Sequence, residues 1–189
     1  MTISRARTDS SGLSFRRFTP ADIPAVHEYC SDPEVVRWST WGPNTLVQTT
    51  AFVEDAARPL PQADLSAFTL AAVLNGTAIG SVSIWTTDPH DRNGELGYTL
   101  HRAHWGRGYA TEAVSQLLGL GFGPLGLERI TATCHPGNIG SIRVLQKSGF
   151  TQEGVLRSHR LVHGTRRDSL LFSILRDDPH SEAVAGSTR

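Results

Sequence analysis

The sequence predicts a domain of the α+β class, and three observations support this prediction. Helix patterns precede a run of antiparallel strand patterns that ends at Leu100. A glycine-rich turn at residues 105–110 follows that run and leads into an amphipathic helix. A strand, a helix and a final pair of strands complete the chain, so that blocks of helix and of antiparallel strand share one domain.

Composition limits the classes of protein to consider. The 189 residues suit a single domain that buries its own core. The 18 basic and 18 acidic residues balance, which gives no electrostatic signature of nucleic-acid or membrane binding. Cys30 and Cys134 are too few for a disulfide framework or a zinc set, as in proteins of a reducing compartment. No apolar run reaches the length of a membrane span, and we expect a cytoplasmic protein.

We expect one domain over residues 13–176, with flexible tails at residues 1–12 and 177–189. A short strand is predicted over 13–18. A helix follows from Thr19, because Thr, Pro and an acid occupy the cap, first and third helical positions. It ends near Cys30.

A second helical turn is predicted at residues 31–34, and Asn44 is expected to cap a helix that runs to about Arg58. The loop between them carries Trp38 and Trp41. Two tryptophans in a loop either plug the core or line a binding pocket, and the sequence leaves both readings open.

The antiparallel strands begin at Leu65. Residues 65–74 are apolar on both faces, as in a central strand. Asn-Gly at 75–76 is a strong hairpin signal, and residues 77–85 return with alternating character. After a polar turn, the strand Glu95–Leu100 delivers the chain to the glycine-rich turn.

The glycine-rich turn predicts an anion site. Gly106, Gly108 and the small Ala110 keep side chains away from a stretch of backbone. The helix behind it buries one face through residues spaced as i, i+3, i+4 and i+7. Free N–H groups and the positive end of the helix dipole therefore converge, which suits a pyrophosphate. Glycines that only turn the chain are the alternative.

A second glycine pattern is misleading. Residues 121–126 match Gly-x-Gly-x-x-Gly, but a helix precedes this stretch and a strand follows it, the reverse of a dinucleotide-binding unit. We predict a helix end and a loop there.

The last part of the chain has a strand at residues 129–134 and then a capped helix. Asn138 occupies the cap position and Ser141 lies one turn further on. Capping alone explains Asn138, and Ser141 is either a solvent-facing hydroxyl or a neighbour of the strand end at Cys134. The final strands are predicted at 150–157 and 165–174.

These blocks resemble the GNAT superfamily of acyl-CoA-dependent N-acyltransferases, and within it the RimJ/RimL type of ribosomal-protein N-terminal acetyltransferases. The resemblance rests on a strand followed by Trp105–Ala113, then Asn138 with Ser141, then Lys147–Phe150. It extends from residue 13 to residue 174 and includes the spacing between blocks. It implies the GNAT fold, a mixed sheet of about 6–7 strands that is splayed between strands 4 and 5 and flanked by about 4 helices.

The chain departs from the family pattern at one position of the acyl-CoA loop. That loop reads Gln/Arg-x-x-Gly-x-Gly/Ala in the family, whereas this chain has Trp105 at the first position. The change weakens one side-chain contact to the pyrophosphate and leaves the backbone donors in place.

The resemblance implies acetyl-CoA as co-substrate, without a metal. It would lie between the strands that end at Leu100 and Cys134, with the pantetheine against strand backbone and the pyrophosphate on the glycine-rich turn. The candidate cofactor-binding residues are Tyr98, Thr99, Leu100, Trp105, Gly106, Arg107, Gly108, Tyr109, Ala110, Thr111, Asn138 and Ser141.

The reaction implied is direct acetyl transfer to an amine. Glu95 is the candidate base, acting directly or through water, although an exposed turn carboxylate is an equal alternative. Ser141 resembles the residue that reprotonates the departing CoA thiolate. The family's usual tyrosine donor in the helix after Asn138 has no counterpart, and the oxyanion would rest on strand N–H near Thr99.

The acceptor amine would approach the final hairpin, which carries Arg157, His159, Arg160 and His163. The candidate substrate-binding residues are Trp38, Trp41, Arg157 and His159. A solvated, charged hairpin is the alternative. His101, Arg102 and His104 lack further ligands at suitable spacing, so that no metal site is predicted. Cys134 is expected to be a buried core thiol.

Three hypotheses remain. The acceptor is the N-terminal α-amine of a protein or peptide, or it is a small amine such as an antibiotic or amino sugar. Alternatively, the chain is a catalytically idle acyl-CoA-binding module. A monomer or a homodimer fits each of them.

Overall fold

A computed structural model describes residues 12–58 and 66–178. Within them, seven strands form one sheet in the order β1-β2-β3-β4-β5-β7-β6, in which only β4 and β5 pair in parallel. The strands are β1 (Leu13–Arg16), β2 (Ala67–Leu74), β3 (Thr77–Asp88), β4 (Asn93–Leu100), β5 (Arg129–Cys134), β6 (Thr151–Val162) and β7 (Thr165–Leu175). The predicted start of β2 at Leu65 lies outside the described residues.

Helices cover both faces of the sheet. The described residues contain α1 (Ile23–Cys30), α2 (Pro33–Val36), α3 (Leu46–Ala57), α4 (Tyr109–Phe122) and α5 (Ile139–Lys147). On one face, α1 and α3 pack on Ala71, Val73 and Ala78. On the other face, α4 and the end of α5 join the larger core cluster that includes Leu96 and Ile130. The mixed sheet with flanking helices confirms the predicted fold class.

Thr19 caps a 3-10 turn at Pro20–Asp22, which leads into α1, so that the regular helix begins later than predicted. The N–H of Thr19 bonds to Asp22 Oδ2 at 2.8 Å, and Arg16 Nη1 donates to the same oxygen at 2.7 Å. The predicted cap at Asn44 is wrong by one residue. Thr45 caps α3 instead, because its Oγ1 accepts from the N–H of Gln48 at 3.3 Å.

The parallel pairing of β4 with β5 is short. It comprises Asn93 with Arg129, Gly94 with Ile130, and Glu95 with Thr131, and the strands then diverge. Residues 96–100 pair only with β3, and residues 132–134 pair only with β7. The predicted splay between strands 4 and 5 is therefore present, and it leaves facing backbone groups without a strand partner among the described residues.

The last hairpin is longer than predicted. The expected connection at residues 158–164 is mostly strand, and only a tight turn at His163 and Gly164 separates β6 from β7. A bulge interrupts β6, because residues 157–159 face the single residue Asp168. Ser158 has φ 51°, and its N–H bonds to Asp168 Oδ1 at 2.8 Å. Gly164 marks the turn at the end of this stretch, whereas the residues before it continue the strand.

The predicted tails fall almost wholly on residues outside the described ranges. Among the helices that the structure describes, none is both long and apolar enough to cross a membrane. The predicted glycine loop at residues 121–126 is confirmed, since α4 ends at Phe122 and β5 starts seven residues later, at Arg129.

Arg129 of β5 and Glu153 of the edge strand β6 form an ion pair. This pair should make the stability of the fold fall at acid pH. Hydrogen bonds from Arg129 and then from Ser173 lower the pKa of Glu153 from 4.5 to about 2. A pKa lowered by folding gives stability that is present above the unfolded value and is lost as the pH falls through the folded value. We expect Glu153→Gln to reduce the urea midpoint at pH 6, and this difference from the wild type should shrink between about pH 4.5 and pH 2.

Urea titrations from pH 7 to pH 2 measure this effect. Glu54→Gln is the control, because Glu54 is exposed on α3 and should follow the wild type at every pH. A Glu153→Gln deficit that stays constant across the range would show that the carboxylate's charge does not matter.

Candidate active site

A cavity of about 1320 Å³ opens where β4 and β5 diverge. Its walls come from β4, the following loop, the starts of α4 and α5, the loop after α2, and the β6–β7 hairpin. Fourteen of the predicted site residues line it: Trp38, Trp41, Glu95, Tyr98, Thr99, Leu100, Trp105, Gly106, Gly108, Tyr109, Ala110, Thr111, Asn138 and Ser141. Arg107, Arg157 and His159 are not among the lining residues, whereas Arg160 is.

The glycine-rich turn presents bare backbone to this cavity. Gly106 and Gly108 have φ of 73° and 87°, a region that L side chains rarely adopt. A Cβ built on either residue meets no atom within 4 Å, so the space beside the turn is open. Gly108 caps α4 without a side chain, and the first N–H groups of a helix have no partner within it. This arrangement can hold an anion such as a diphosphate.

Trp105 fixes the turn to the end of β4. Its indole N–H donates to the carbonyl oxygen of Leu100 at 2.8 Å, and the residue is 50% exposed on the cavity wall. The side chain at the family's Gln/Arg position therefore stabilises the loop through backbone rather than offering a charge. The sequence predicted a weaker side-chain contact to the pyrophosphate. It did not predict that the Trp105 indole would bond to the backbone of Leu100.

The charged residues between β4 and the glycine-rich turn have protein partners. Arg102 Nε lies 2.9 Å from Asp32 Oδ2, and His101 Nε2 lies 3.8 Å from Glu28 Oε2. Burial lowers the pKa of His104, and His101 and Arg107 lower it further. No group of three or more potential metal ligands occurs among the described residues.

Side chains of β4 alternate between the two faces of the sheet. Leu96 and Leu100 join the core beneath α4, and Tyr98 packs against the same cluster. Glu95, Gly97 and Thr99 therefore face the side of α1 and α3. Since the strands separate after Glu95, the cavity receives side chains from both faces.

Glu95 has two neighbours on one of its oxygens. Thr133 Oγ1 donates to Glu95 Oε1 at 3.4 Å, and Arg160 Nη2 lies 3.3 Å from the same atom. The side chain of Glu95 is 19% exposed. Of the two alternatives for Glu95, the structure has the cavity-lining carboxylate rather than an exposed turn carboxylate.

Ser141 lies at the opposite side of the gap, in the first turn of α5. Asn138 caps this helix, because its Oδ1 accepts from the N–H of Ser141 at 3.1 Å. The Ser141 Oγ lies 2.9 Å from the hydroxyl of Tyr98. Tyr98 was predicted as a contact for the cofactor through backbone, and its side-chain contact with Ser141 has no signal in the sequence.

Arg160, rather than Arg157 or His159, brings positive charge to the cavity from the last hairpin. Arg157 is exposed, and His159 is half-buried. Burial lowers the pKa of His159, and Arg160 lowers it further while Glu95 raises it. Because the bulge at residues 157–159 breaks the alternation of β6, simple counting along the strand does not identify which side chain reaches the cavity.

The two tryptophans of the loop after α2 have different surroundings. The Trp38 ring stacks on His135 with centroids 4.2 Å apart, and the Arg37 guanidinium lies 4.8 Å from the Trp38 ring centroid. Burial lowers the pKa of His135. Trp41 is 39% exposed. Both rings line the cavity, and Trp38 also packs against a neighbouring ring, that of His135.

The geometry suits an acyl-CoA thioester. The open turn can donate to a diphosphate, and the unpaired edge of β4 after Glu95 has backbone groups that can pair with amides. A carboxylate and a hydroxyl lie on either side of the gap between the strands. Such a site defines an acyl-CoA-dependent transferase.

Comparisons with known proteins agree. A family model described as an acetyltransferase (GNAT) domain matches residues 13–151, which is more than half of the 189 residues. The chain belongs to the GNAT acetyltransferase family. It is 32% identical over 165 residues to the N-acetyltransferase p20 of Bacillus licheniformis, covering 87% of this chain and 93% of that protein.

Two further proteins are similar to this chain. The chain is similar to Mycobacterium smegmatis RimJ, solved in complex with CoA-disulfide, with 25% identity, a TM-score of 0.77, and coverage of 92% of this chain and 89% of that one. It is also 27% identical over 159 residues to the aminoglycoside N(6')-acetyltransferase type 1 of Klebsiella pneumoniae, covering 78% of each.

The chain is thus an N-acetyltransferase that uses acetyl-CoA, and its predicted likeness to the RimJ/RimL type is confirmed. The hypothesis of an idle acyl-CoA-binding module is set aside. The relatives do not define one acceptor.

Gly108→Trp should abolish acetyl-CoA binding. The substitution adds an indole at the bare turn and strains a backbone with φ 87°, so that the helix N-terminus is blocked. Isothermal titration calorimetry with acetyl-CoA should show affinity at least about 100-fold weaker, since several charged hydrogen bonds are lost together.

Gly76→Trp is the matched control. Gly76 has φ 84° and open space around it, but it lies in the β2–β3 hairpin. It should bear similar backbone strain and bind acetyl-CoA normally. Normal binding by Gly108→Trp would contradict a diphosphate site at the turn.

Proposed function

We propose that this acetyltransferase acetylates the N-terminal α-amine of a protein or peptide. As the C–N bond forms, Glu95 receives a proton of the attacking amine, directly or through water. As the C–S bond breaks, Ser141 donates a hydrogen bond to the sulfur and keeps its own proton, so that CoA leaves as a thiolate and takes its proton from solvent, to which Glu95 later returns the proton of the amine. Trp38 and Trp41 line the entry of the acceptor. The observation that carries the choice of acceptor is that the charged residues lining the cavity include no surplus of acidic groups.

The lining of the cavity includes the acidic residues Glu34, Glu95 and Asp168 and the basic residues Arg37, Arg143, Lys147, Arg160 and Arg167. Three carboxylates against five cationic groups leave the lining without an acidic surplus. Its carboxylates are also engaged, since Arg160 contacts Glu95, Arg37 lies 3.9 Å from Glu34, and Asp168 accepts from the backbone of β6.

A lining without an acidic surplus favours an acceptor with few positive charges. Aminoglycosides and polyamines carry several positive charges, and recognition of them requires a surplus of acidic groups. A protein N-terminus presents one amine at the end of an extended chain, and the aromatic rings of Trp38, Trp41 and Trp85 offer apolar contact to such a chain. The small-amine alternative, as in the Klebsiella relative, lacks a matching acidic pocket here.

The chemistry of the amine points the same way. An α-amine has a pKa of about 7.7–8.0, so roughly a tenth is neutral at pH 7, whereas a lysine amine at about 10.4 is less than about 0.1% neutral. The candidate base, Glu95, is a carboxylate that lies 3.3 Å from Arg160. It suffices to take the proton of an α-amine as the new amide bond forms.

Ser141 is suited to the departing sulfur by its place in α5. The positive end of the helix dipole favours negative charge near the first turn, and a hydroxyl there can donate a hydrogen bond. Asn138 holds the N–H of Ser141, which fixes the start of the helix.

An amine panel tests the acceptor. Acetyl-CoA and the enzyme are incubated with pentapeptides that have free or blocked N-termini, with a blocked peptide containing lysine, with kanamycin and with spermidine. Thiol release gives rates, and mass spectrometry gives the acetylated position. We expect the free N-termini to react at least about 100-fold faster than the lysine peptide at pH 7, because of their neutral fractions. Faster reaction of kanamycin or spermidine would overturn the proposal.

Glu95→Gln tests the base. We expect kcat to fall about 10- to 100-fold at pH 6.5, with acetyl-CoA affinity unchanged, and the loss to shrink at pH 9, where most of an α-amine is already neutral. Glu54→Gln, an exposed carboxylate outside the cavity, is the control. Wild-type turnover by Glu95→Gln at pH 6.5 would remove Glu95 from the reaction.

A further inference from the structure

The contact between Tyr98 and Ser141 links the two layers of the site. Tyr98 belongs to β4 and Ser141 to α5, and their hydroxyl oxygens lie 2.9 Å apart. The Tyr98 hydroxyl is also 3.4 Å from the backbone carbonyl oxygen of Ser141. Both residues line the cavity.

This contact depends on the divergence of β4 and β5. The strands stop pairing at Glu95, three residues before Tyr98. Tyr98 lies on the face of α4 and α5, and its ring packs against the core cluster of that face. With its ring held there, the phenol oxygen has a fixed position beside the first turn of α5.

The phenol remains protonated. Burial raises the pKa of Tyr98, while the hydrogen bond with Ser141 opposes that shift in part. Tyr98 can therefore donate to Ser141 Oγ, and the serine hydrogen, which has the Cys134 thiol as a neighbour, can turn to a sulfur in the cavity. A hydroxyl that accepts one hydrogen bond donates a stronger one.

We propose that Tyr98 is a positioning residue for Ser141, whose hydroxyl it holds and polarises so that the serine donates to the departing thiolate. This inference rests on the proposed function of Ser141. Tyr98 keeps its own proton throughout, and the proton lost by the amine passes to Glu95 on the other face of the sheet. The phenol acts from a strand, since α5 itself carries no tyrosine.

Three variants test the inference: Tyr98→Phe, Ser141→Ala and the double variant. Tyr98→Phe removes one hydroxyl and keeps the ring in the core. We expect its kcat to fall about five- to tenfold with a free-N-terminus pentapeptide, with acetyl-CoA affinity within about twofold of the wild type. Ser141→Ala should lower kcat at least as much.

The double variant separates positioning from a general structural effect. If Tyr98 acts through Ser141, Tyr98→Phe should change kcat less than about twofold in the Ser141→Ala background. Losses that multiply would overturn the inference, as would wild-type kcat for Tyr98→Phe. If Ser141→Ala alone keeps the wild-type kcat, the proposed function of Ser141 fails and the inference fails with it.

Tyr29→Phe is the matched control. Tyr29 is a fully buried tyrosine of α1 that does not line the cavity. Its loss of a hydroxyl should alter the melting temperature but not kcat. Mass spectrometry of the peptide product confirms in each case that N-acetylation is the reaction being followed.

Discussion

The short parallel pairing of β4 with β5 is the constraint on which the site depends. Three residue pairs hold the strands together, and beyond Glu95 and Thr131 each strand keeps only its outer partner. A sheet interrupted in this way leaves backbone donors and acceptors facing an open space, and such groups require partners. The cavity is thus a consequence of sheet register, and a thioester with its amides can satisfy the exposed edge.

The same divergence explains how the Glu95 carboxylate and the Tyr98–Ser141 pair reach one cavity from opposite faces of the sheet. Alternation along β4 sends Glu95 toward the face of α1 and α3, and sends Tyr98 toward α5. In a continuous sheet the two faces would be isolated from each other. Where the strands separate, a carboxylate on one face and the Tyr98–Ser141 pair on the other reach one cavity. Proton removal and thiolate stabilisation are therefore assigned to opposite faces.

Local signals in the sequence predicted much of this arrangement. The positive φ of Gly108 and the cap at Asn138 depend on a few neighbouring residues, which is why glycine and asparagine identified them. The divergence of β4 and β5 was predicted only from the resemblance to the family, because no local sequence pattern encodes it. The role of Arg160 was assigned instead to Arg157 and His159, because a bulge changes side-chain directions without a distinctive composition. The Tyr98–Ser141 bond joins residues 43 positions apart, so that no local sequence pattern could predict it.

Two departures from the family pattern share a physical logic. Trp105 stands where a polar side chain is usual, and its indole holds the turn by a bond to Leu100. The helix after Asn138 lacks the usual tyrosine, and β4 supplies a phenol to Ser141 from the other side of the cavity. In each case the group to which we assign the ligand contact is backbone or a small hydroxyl, and a large aromatic residue bonds to the same segment. Aromatic residues lose little entropy and pack well, so they suit this supporting role.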